Sequence, residues 1–320
     1  MTRTFPWRRW LFTLGMVLGG AIFVWQTVGA LQAFRSQAFS LVRPELIVAA
    51  VGCILVVTLL QIGAWRAIMH DLGVPLSWSA GIRGYMLPFV ARYIPGMVWG
   101  YLSRTHWLAT RHKTPPQVAN LGAILEVVGL LLSAAIVSAV GGVMIQAPVI
   151  IWLSVVFALV LTLGIALIGG VVNRFGWLRR LATRLRADKW LRELTLRRVA
   201  VALPWQVAMW CGHGVAIWCL IGSIAPWEVG TLAVSVAAFA LAWSGGFLVV
   251  VLPSGLGLRE FGLTYVLVRF AGLAQSVATG VAVMSRAGVL LGELAFVLVA
   301  LGLDRLDPSD RRIALCDEDV

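Results

Sequence analysis

Glu126, Arg286 and Glu293 stand inside runs apolar enough to cross a bilayer, and Arg92, Arg259 and Glu260 stand beside breaks in two further runs. An acid near the centre of a membrane helix costs on the order of 3 kcal/mol, so each such group needs a partner or water. Guanidinium groups grip phosphate and other anions bidentately. The chemistry open to these residues at membrane depth is therefore anion binding, with carboxylates neutralising the arginines or meeting an amine.

Spacing refines this. Gly122, Glu126, Gly129 and Ser133 follow i, i+4, i+7, i+11 and share one helical face. The small residues among them let another helix approach closely, so the stripe is expected to face the bundle interior. There Glu126 meets either a cation in a structural ion pair or a hydrated cavity. Arg286 and Glu293, seven residues apart, also share a face. Near the start of the predicted last span, Arg286 has the alternative of snorkelling to the interface. Arg259 and Glu260 can neutralise each other, which leaves Arg92 without a local acid, while Arg83, Arg92 and Arg104 flank or lie within the first broken run.

The breaks themselves are Ala91 to Gly100, containing Pro95 and Gly96, and Pro253 to Glu260, containing Gly255 and Gly257. Backbone leaves the helix at membrane depth only where protein buries it or a polar cavity hydrates it. A helix that restarts after such a break adds free N–H groups and the positive end of its dipole, and Gly255 and Gly257 permit the turn. The Gly-Leu-Gly match is not a dinucleotide site, since strand–turn–helix context is missing. No GxxxxGK[ST] run is present, so ATP hydrolysis is not expected.

The elements that position these residues must be membrane helices. Hydrophobic residues make up 60% of the 320, charged residues 12%, and mean hydropathy is +0.91; a soluble domain has about 25% charged residues. The chain is expected to be one integral membrane domain over 1–320, with a basic N-terminal segment at 1–10, a basic loop at 173–198 and a tail at 304–320. No room is left for a soluble catalytic domain of roughly 50 to 250 residues. The net charge of +12 does not signal nucleic-acid binding. Its largest cluster, Arg174, Arg179, Arg180, Arg184, Arg186, Lys189, Arg192, Arg197 and Arg198, fixes topology and places that loop in the cytoplasm.

Apolar runs predict spans near 11–31, 46–65, 118–140, 148–172, 199–221, 231–252 and 287–303, with broken regions at 80–104 and 253–285. Each unbroken run is close to the ~20 residues that cross the hydrocarbon. If both broken regions are re-entrant the count is seven, and if only the second crosses it is eight. The predicted fold is an all-α polytopic bundle. The first run is longer than the 7 to 15 apolar residues of a signal peptide and is read as a retained helix with the amino terminus cytoplasmic. Among the 15 tryptophans, Trp7, Trp10, Trp65, Trp78, Trp152, Trp205 and Trp227 are expected as interfacial anchors. Trp99 and Trp243 are the candidates for an aromatic cage. Cys53, Cys211, Cys219 and Cys316 read as apolar fillers, and His70, His106, His112 and His213 lack metal-ligand spacing. Neither metal nor cofactor is expected.

The run Arg92 to Trp99, Leu125-Glu126, the Pro253 to Glu260 break and Ser285-Arg286 together resemble the membrane region of bacterial lysylphosphatidylglycerol synthetases, a flippase-like family with standalone members of about this length. The resemblance covers essentially the whole chain. One departure is Ser254, where a glycine would be expected. The resemblance implies movement of a lipid with an anionic or aminated headgroup between leaflets of the bacterial inner membrane. Lipid aminoacylation is not expected, because the soluble aminoacyltransferase part of the full-length synthetases is missing. Paired breaks in two halves are what transporter folds use to build a site, so Arg83, Arg92, Pro95, Gly96, Glu126, Gly255, Gly257, Arg259, Glu260, Arg286 and Glu293 are the candidate substrate-binding residues. The partner implied is a membrane phospholipid or lipid-linked substrate, with a separately encoded lipid-modifying enzyme as a further one. A membrane-embedded transferase and an accessory subunit presenting lipid to such an enzyme are the alternatives. A transferase would need an acidic cluster, and Asp304, Asp307 and Asp310 read instead as a solvated tail.

Overall fold

In the computed structural model the described residues are 43–93, 99–175, 193–226, 228–248 and 257–306, and apart from these only 28, 32 and 180. They form helices without strands. The helices are α1 (Glu45–Asp71), α2 (Trp78–Met86) with a 3-10 continuation (Leu87–Tyr93), α3 (Trp99–Arg111), α4 (Pro116–Met144) and α5 (Pro148–Arg174). After the basic loop come α6 (Leu196–Ile224), α7 (Thr231–Leu248), α8 (Leu258–Ala271) and α9 (Gln275–Leu306). Six of them, α1, α4, α5, α6, α7 and α9, contain segments long and apolar enough to cross a membrane. The protein is therefore an all-α, multi-pass membrane protein. The first apolar run, 11–31, apart from residue 28, the basic segment at 1–10, most of the basic loop at 173–198 and the tail from 307 onward lie outside the described residues.

Local signals explain the boundaries. Pro116 and Pro148 open α4 and α5, where a missing N–H costs nothing. Ser77 and Thr195 cap α2 and α6 through their side-chain oxygens. Gly272, at φ +65°, closes α8 in the left-handed conformation.

Contacts at the helix ends fix the directions. The Arg43 N–H donates to the Ser223 carbonyl at 3.4 Å, and Arg198 meets Asp71 at 3.7 Å, so α1 and α6 run antiparallel along their whole length. Theirs is the most extensive helix pairing in the structure. Residues 145–147 join α4 to α5 as a tight hairpin, and 225–230 join α6 to α7. One end of the bundle thus carries Asp71, Arg198 and the start of α4, and the opposite end carries the two short turns. At 13 and 14 residues, α3 and α8 are each roughly 20 Å long, short of the ~30 Å hydrocarbon. The pair α2/α3 leaves and returns to the basic end. The pair α7/α8 does the same from the opposite end, since Gly262 of α8 lies against Ala242 of α7.

Several expectations are corrected. The second break does not reach Ser285, because Gln275 to Ser285 is helical and α9 runs unbroken to Leu306. Arg286 is thereby carried roughly 16 Å into the helix at 1.5 Å per residue, too deep to snorkel. Asp304 also belongs to α9 and not to the tail, and it meets Arg83 of α2 at 3.8 Å. Trp65 is no interfacial anchor, being 2% exposed against Tyr85. Trp152, at 69% exposure, lies on the outward face of α5.

Gly214 marks the closest helix approach, since a Cβ there would stand 2.6 Å from the Val236 Cα of α7. Backbone cannot yield as a side-chain tip can. Gly214→Val is expected to cost about 1–3 kcal/mol or more through overpacking, seen as a lowered melting midpoint of the detergent-purified protein. An unchanged midpoint would refute this packing.

Candidate functional site

Glu126 lies on the interior face of α4, and the stripe predicted from spacing does point inward. Gly122, Glu126, Gly129 and Ser133 are all buried. Gly122 abuts Met69 and Gly129 abuts Gln206, while Ser133 accepts from the Trp210 indole N–H at 2.9 Å. The Glu126 carboxylate is 2% exposed. Its Oε2 meets Arg104 Nη2 at 2.7 Å, and its Oε1 accepts from the Tyr85 hydroxyl at 2.8 Å. Gln206 donates to the Glu126 backbone carbonyl at 3.1 Å. Arg104 in turn lies over the rings of Tyr85 at 4.5 Å and Tyr101 at 4.9 Å. One ion pair therefore joins α2, α3 and α4, with α6 docked on the same turn.

The second break builds a matching arrangement. Gly257 adopts φ +83°, which favours glycine, and its N–H donates to Glu260 Oε2 at 2.8 Å. Glu260 closes the first turn of α8 in this way and also stands 3.8 Å from Arg286 Nε on α9. Arg259 makes its ring contact across helices. Its guanidinium sits 4.6 Å over Phe239 of α7, and His213 of α6 stacks on the same Phe239 at 4.1 Å.

Between these two arrangements is a cavity of about 110 Å³, comparable with the roughly 150 Å³ that admits a benzene-sized guest. Its charged lining is Arg104, Arg259, Arg286 and Glu293, each buried. The aromatic lining includes Tyr85, Tyr101, Trp210 and Trp243, the last two packed edge to face at 5.2 Å. Such a chamber, polar at several points and lined by rings, can hold an ion or a small charged headgroup.

Of the sequence candidates, Arg259, Arg286 and Glu293 line the cavity, and Glu126 and Glu260 stand directly behind lining arginines. Gly257 shapes the turn. Arg83 is elsewhere, at the basic end with Asp304. Arg92 falls in the 3-10 segment with its side chain outside the described residues, as are Pro95, Gly96 and Gly255. Trp243 reaches the cavity, whereas Trp99 is absent from the lining and 45% exposed. Sequence reasoning left out Tyr85, Tyr101, Trp210 and His213, and noted Arg104 only as a flanking charge. Tyr85 and Glu126 are 41 residues apart, so no local pattern connects them. Among the described residues no three His, Cys, Asp or Glu side chains gather to hold a metal ion.

A family model described as Lysylphosphatidylglycerol synthase TM region matches residues 12–302. Comparison with curated proteins and with solved structures gave no match.

The Arg104–Glu126 pair makes a direct stability test. Glu126→Gln leaves Arg104 buried without its counter-ion, which should cost about 3–5 kcal/mol and lower the melting midpoint in detergent. Adding Arg104→Gln should recover much of that loss. A double variant no more stable than Glu126→Gln alone would show that the pair is not the dominant contact.

Proposed function

The chain belongs to the lysylphosphatidylglycerol synthase transmembrane-region family, and on that premise we propose that it moves a phospholipid, or another lipid with an anionic or aminated headgroup, between the leaflets of the bacterial inner membrane. A role concerned with membrane lipid follows from the family alone. Translocation is the finer reading. It is carried by one observation: the cavity with Arg104, Arg259 and Arg286 lies where two helix pairs, α2/α3 and α7/α8, entering from opposite ends of the bundle meet.

That arrangement suits a headgroup path. The arginines offer bidentate donors to a phosphate, and the rings exclude lipid tails from the polar chamber. Acyl chains stay in the bilayer, against the exposed apolar faces of α5 and its neighbours, while the headgroup passes through the protein. Broken helices meeting near the midplane from the two sides are the usual site of alternating access. The cavity is too small for a whole lipid, so passage requires the two helix pairs to open alternately. The basic end is cytoplasmic by the positive-inside rule, which puts the α2/α3 pair on the inner leaflet and the α7/α8 pair on the outer. With the first apolar run as a further crossing, the amino terminus is cytoplasmic too.

The test is leaflet exchange of acyl-chain-labelled phospholipids, anionic and zwitterionic, in proteoliposomes of folded protein against empty vesicles. Arg259→Ala removes a charge-assisted contact of about 1.5–3 kcal/mol and should slow exchange about tenfold or more. Arg83→Ala, outside the cavity lining, should stay within about twofold of the parent rate, a change worth well under 1 kcal/mol. Exchange indifferent to Arg259, or absent from folded protein, would overturn translocation through this cavity.

A further inference from the structure

The cavity wall includes an imidazole. His213 of α6 lines it together with Arg104, Arg259, Arg286 and Glu293, and packing fixes its place. Gly214, the next residue, lets α6 close on the Val236 backbone of α7. One turn further along α7, Phe239 stacks on the imidazole at 4.1 Å with an interplanar angle of 20°. Trp210, one turn back on α6, lies against the same imidazole at 6.3 Å. These are ring contacts, and no described residue is hydrogen-bonded to an imidazole nitrogen. Arg259 stands over the same Phe239 at 4.6 Å, so imidazole and guanidinium are no further apart than those two distances laid end to end. A phosphate accepting at about 2.8 Å from each can span that gap.

We propose that His213 is a proton site coupled to phosphate capture: a headgroup phosphate entering beside Arg259 brings a proton onto the imidazole, so the cavity takes up the anion and a proton together. The inference takes the translocation reading as its setting. Imidazole is the side chain whose unperturbed titration falls between pH 5 and 8. A second cation on the ring that carries Arg259 is opposed by that guanidinium, and a phosphate oxygen placed between them turns opposition into attraction. The faces of Phe239 and Trp210 accept an imidazolium as they accept a guanidinium. This sign does not depend on how the rest of the wall is neutralised, because an anion at this point favours the protonated ring whatever stands behind it. Across the cavity His213 faces Arg104 of α3, which is paired with Glu126 of α4, Arg286 and Glu293 of α9, and the Tyr85 and Tyr101 hydroxyls. The lining side chains of α1 and α7 are uncharged, and α5 contributes none. Coupling is reciprocal: a proton on His213 strengthens phosphate binding by the factor with which phosphate strengthens protonation. Affinity for a phosphodiester headgroup therefore rises as pH falls, by at most about tenfold per unit for one proton. The gain is lost as pH rises past the point where the phosphate-bound ring deprotonates.

The full chain, purified in a phosphate-free sugar detergent, is titrated with phosphoglycerol lipid, whose phosphodiester stays singly ionised, between about pH 5.5 and 8. Binding should weaken about tenfold or more over that range, and in weak buffer each binding event should take up a fraction of a proton approaching one. His213→Gln keeps a polar side chain that cannot ionise; its binding should change less than about twofold over the same range, with no proton taken up. If that variant does not fold, His213→Asn replaces it, and if neither folds the parent's proton uptake decides alone. Parent binding indifferent to pH overturns the inference, as does a pH profile or proton uptake that the variant keeps, or the absence of binding. Leaflet exchange of the same lipid by folded protein is measured alongside at about pH 6. Exchange without uptake linked to His213 overturns the proton site and leaves translocation standing. Linked uptake without exchange overturns translocation and keeps the proton site. The deacylated headgroup, glycerophosphoglycerol, in the same titration tells whether the ligand must be a lipid, and proton-linked binding of either one supports the site.

Discussion

Ionised groups at membrane depth have to be matched where they stand, because lipid cannot hydrate them and a buried charge that loses its partner is strongly unfavourable. The Arg104–Glu126 pair is the point at which this protein meets that constraint most completely. Its two charges come from α3 and α4, its hydroxyl donor from α2 and the amide that steadies the turn from α6. Removing the pair would leave α3 held to α4 mainly by the Thr105 hydroxyl on Asn120 and by the buried Leu108. The broken α2/α3 segment therefore depends on a polar contact in a way the long spans do not.

The same constraint explains the second break. Gly257 frees the chain to turn, and the turn exposes an N–H that Glu260 takes up while also facing Arg286. One carboxylate satisfies the backbone and the charge together, and this ties the start of α8 to the middle of α9. Between the two breaks the long helices pack by close backbone approach, as at Gly214 on Val236. The result is a frame of α1, α4, α6, α7 and α9, with α7 packed into its apolar core, and the short helices α2, α3 and α8 set against it with ionic and ring contacts among their anchors.

Much of this frame could be read from the chain. The runs expected at 118–140, 148–172, 199–221 and 231–252 appear as helices within a few residues of expectation, because twenty apolar residues in lipid have only one local solution. The inward stripe Gly122, Glu126, Gly129, Ser133 was legible from period alone. So was the shared face of Arg286 and Glu293, both of which line the cavity. The extent of the second break was not. Gln275 to Ser285 is polar enough to look like a continuation of the interruption, yet the helix persists because neighbouring helices bury Ala278, Val281 and Ala282.

Composition and periodicity by themselves determined that this is a multi-pass helical membrane protein, that two segments break within it, and that Glu126 faces inward. They could not choose partners. Arg104 and Tyr85 for Glu126, Arg286 for Glu260, and Phe239 under Arg259 are contacts between elements far apart in sequence, set by the antiparallel pairing of α1 with α6 and by where the short helices stop. Which charges share one cavity, and which, like Arg83, are held at the bundle's end, is a matter of depth and direction. Only the packed helices supply those coordinates, because a periodic sequence specifies which face a residue occupies but not what stands opposite it.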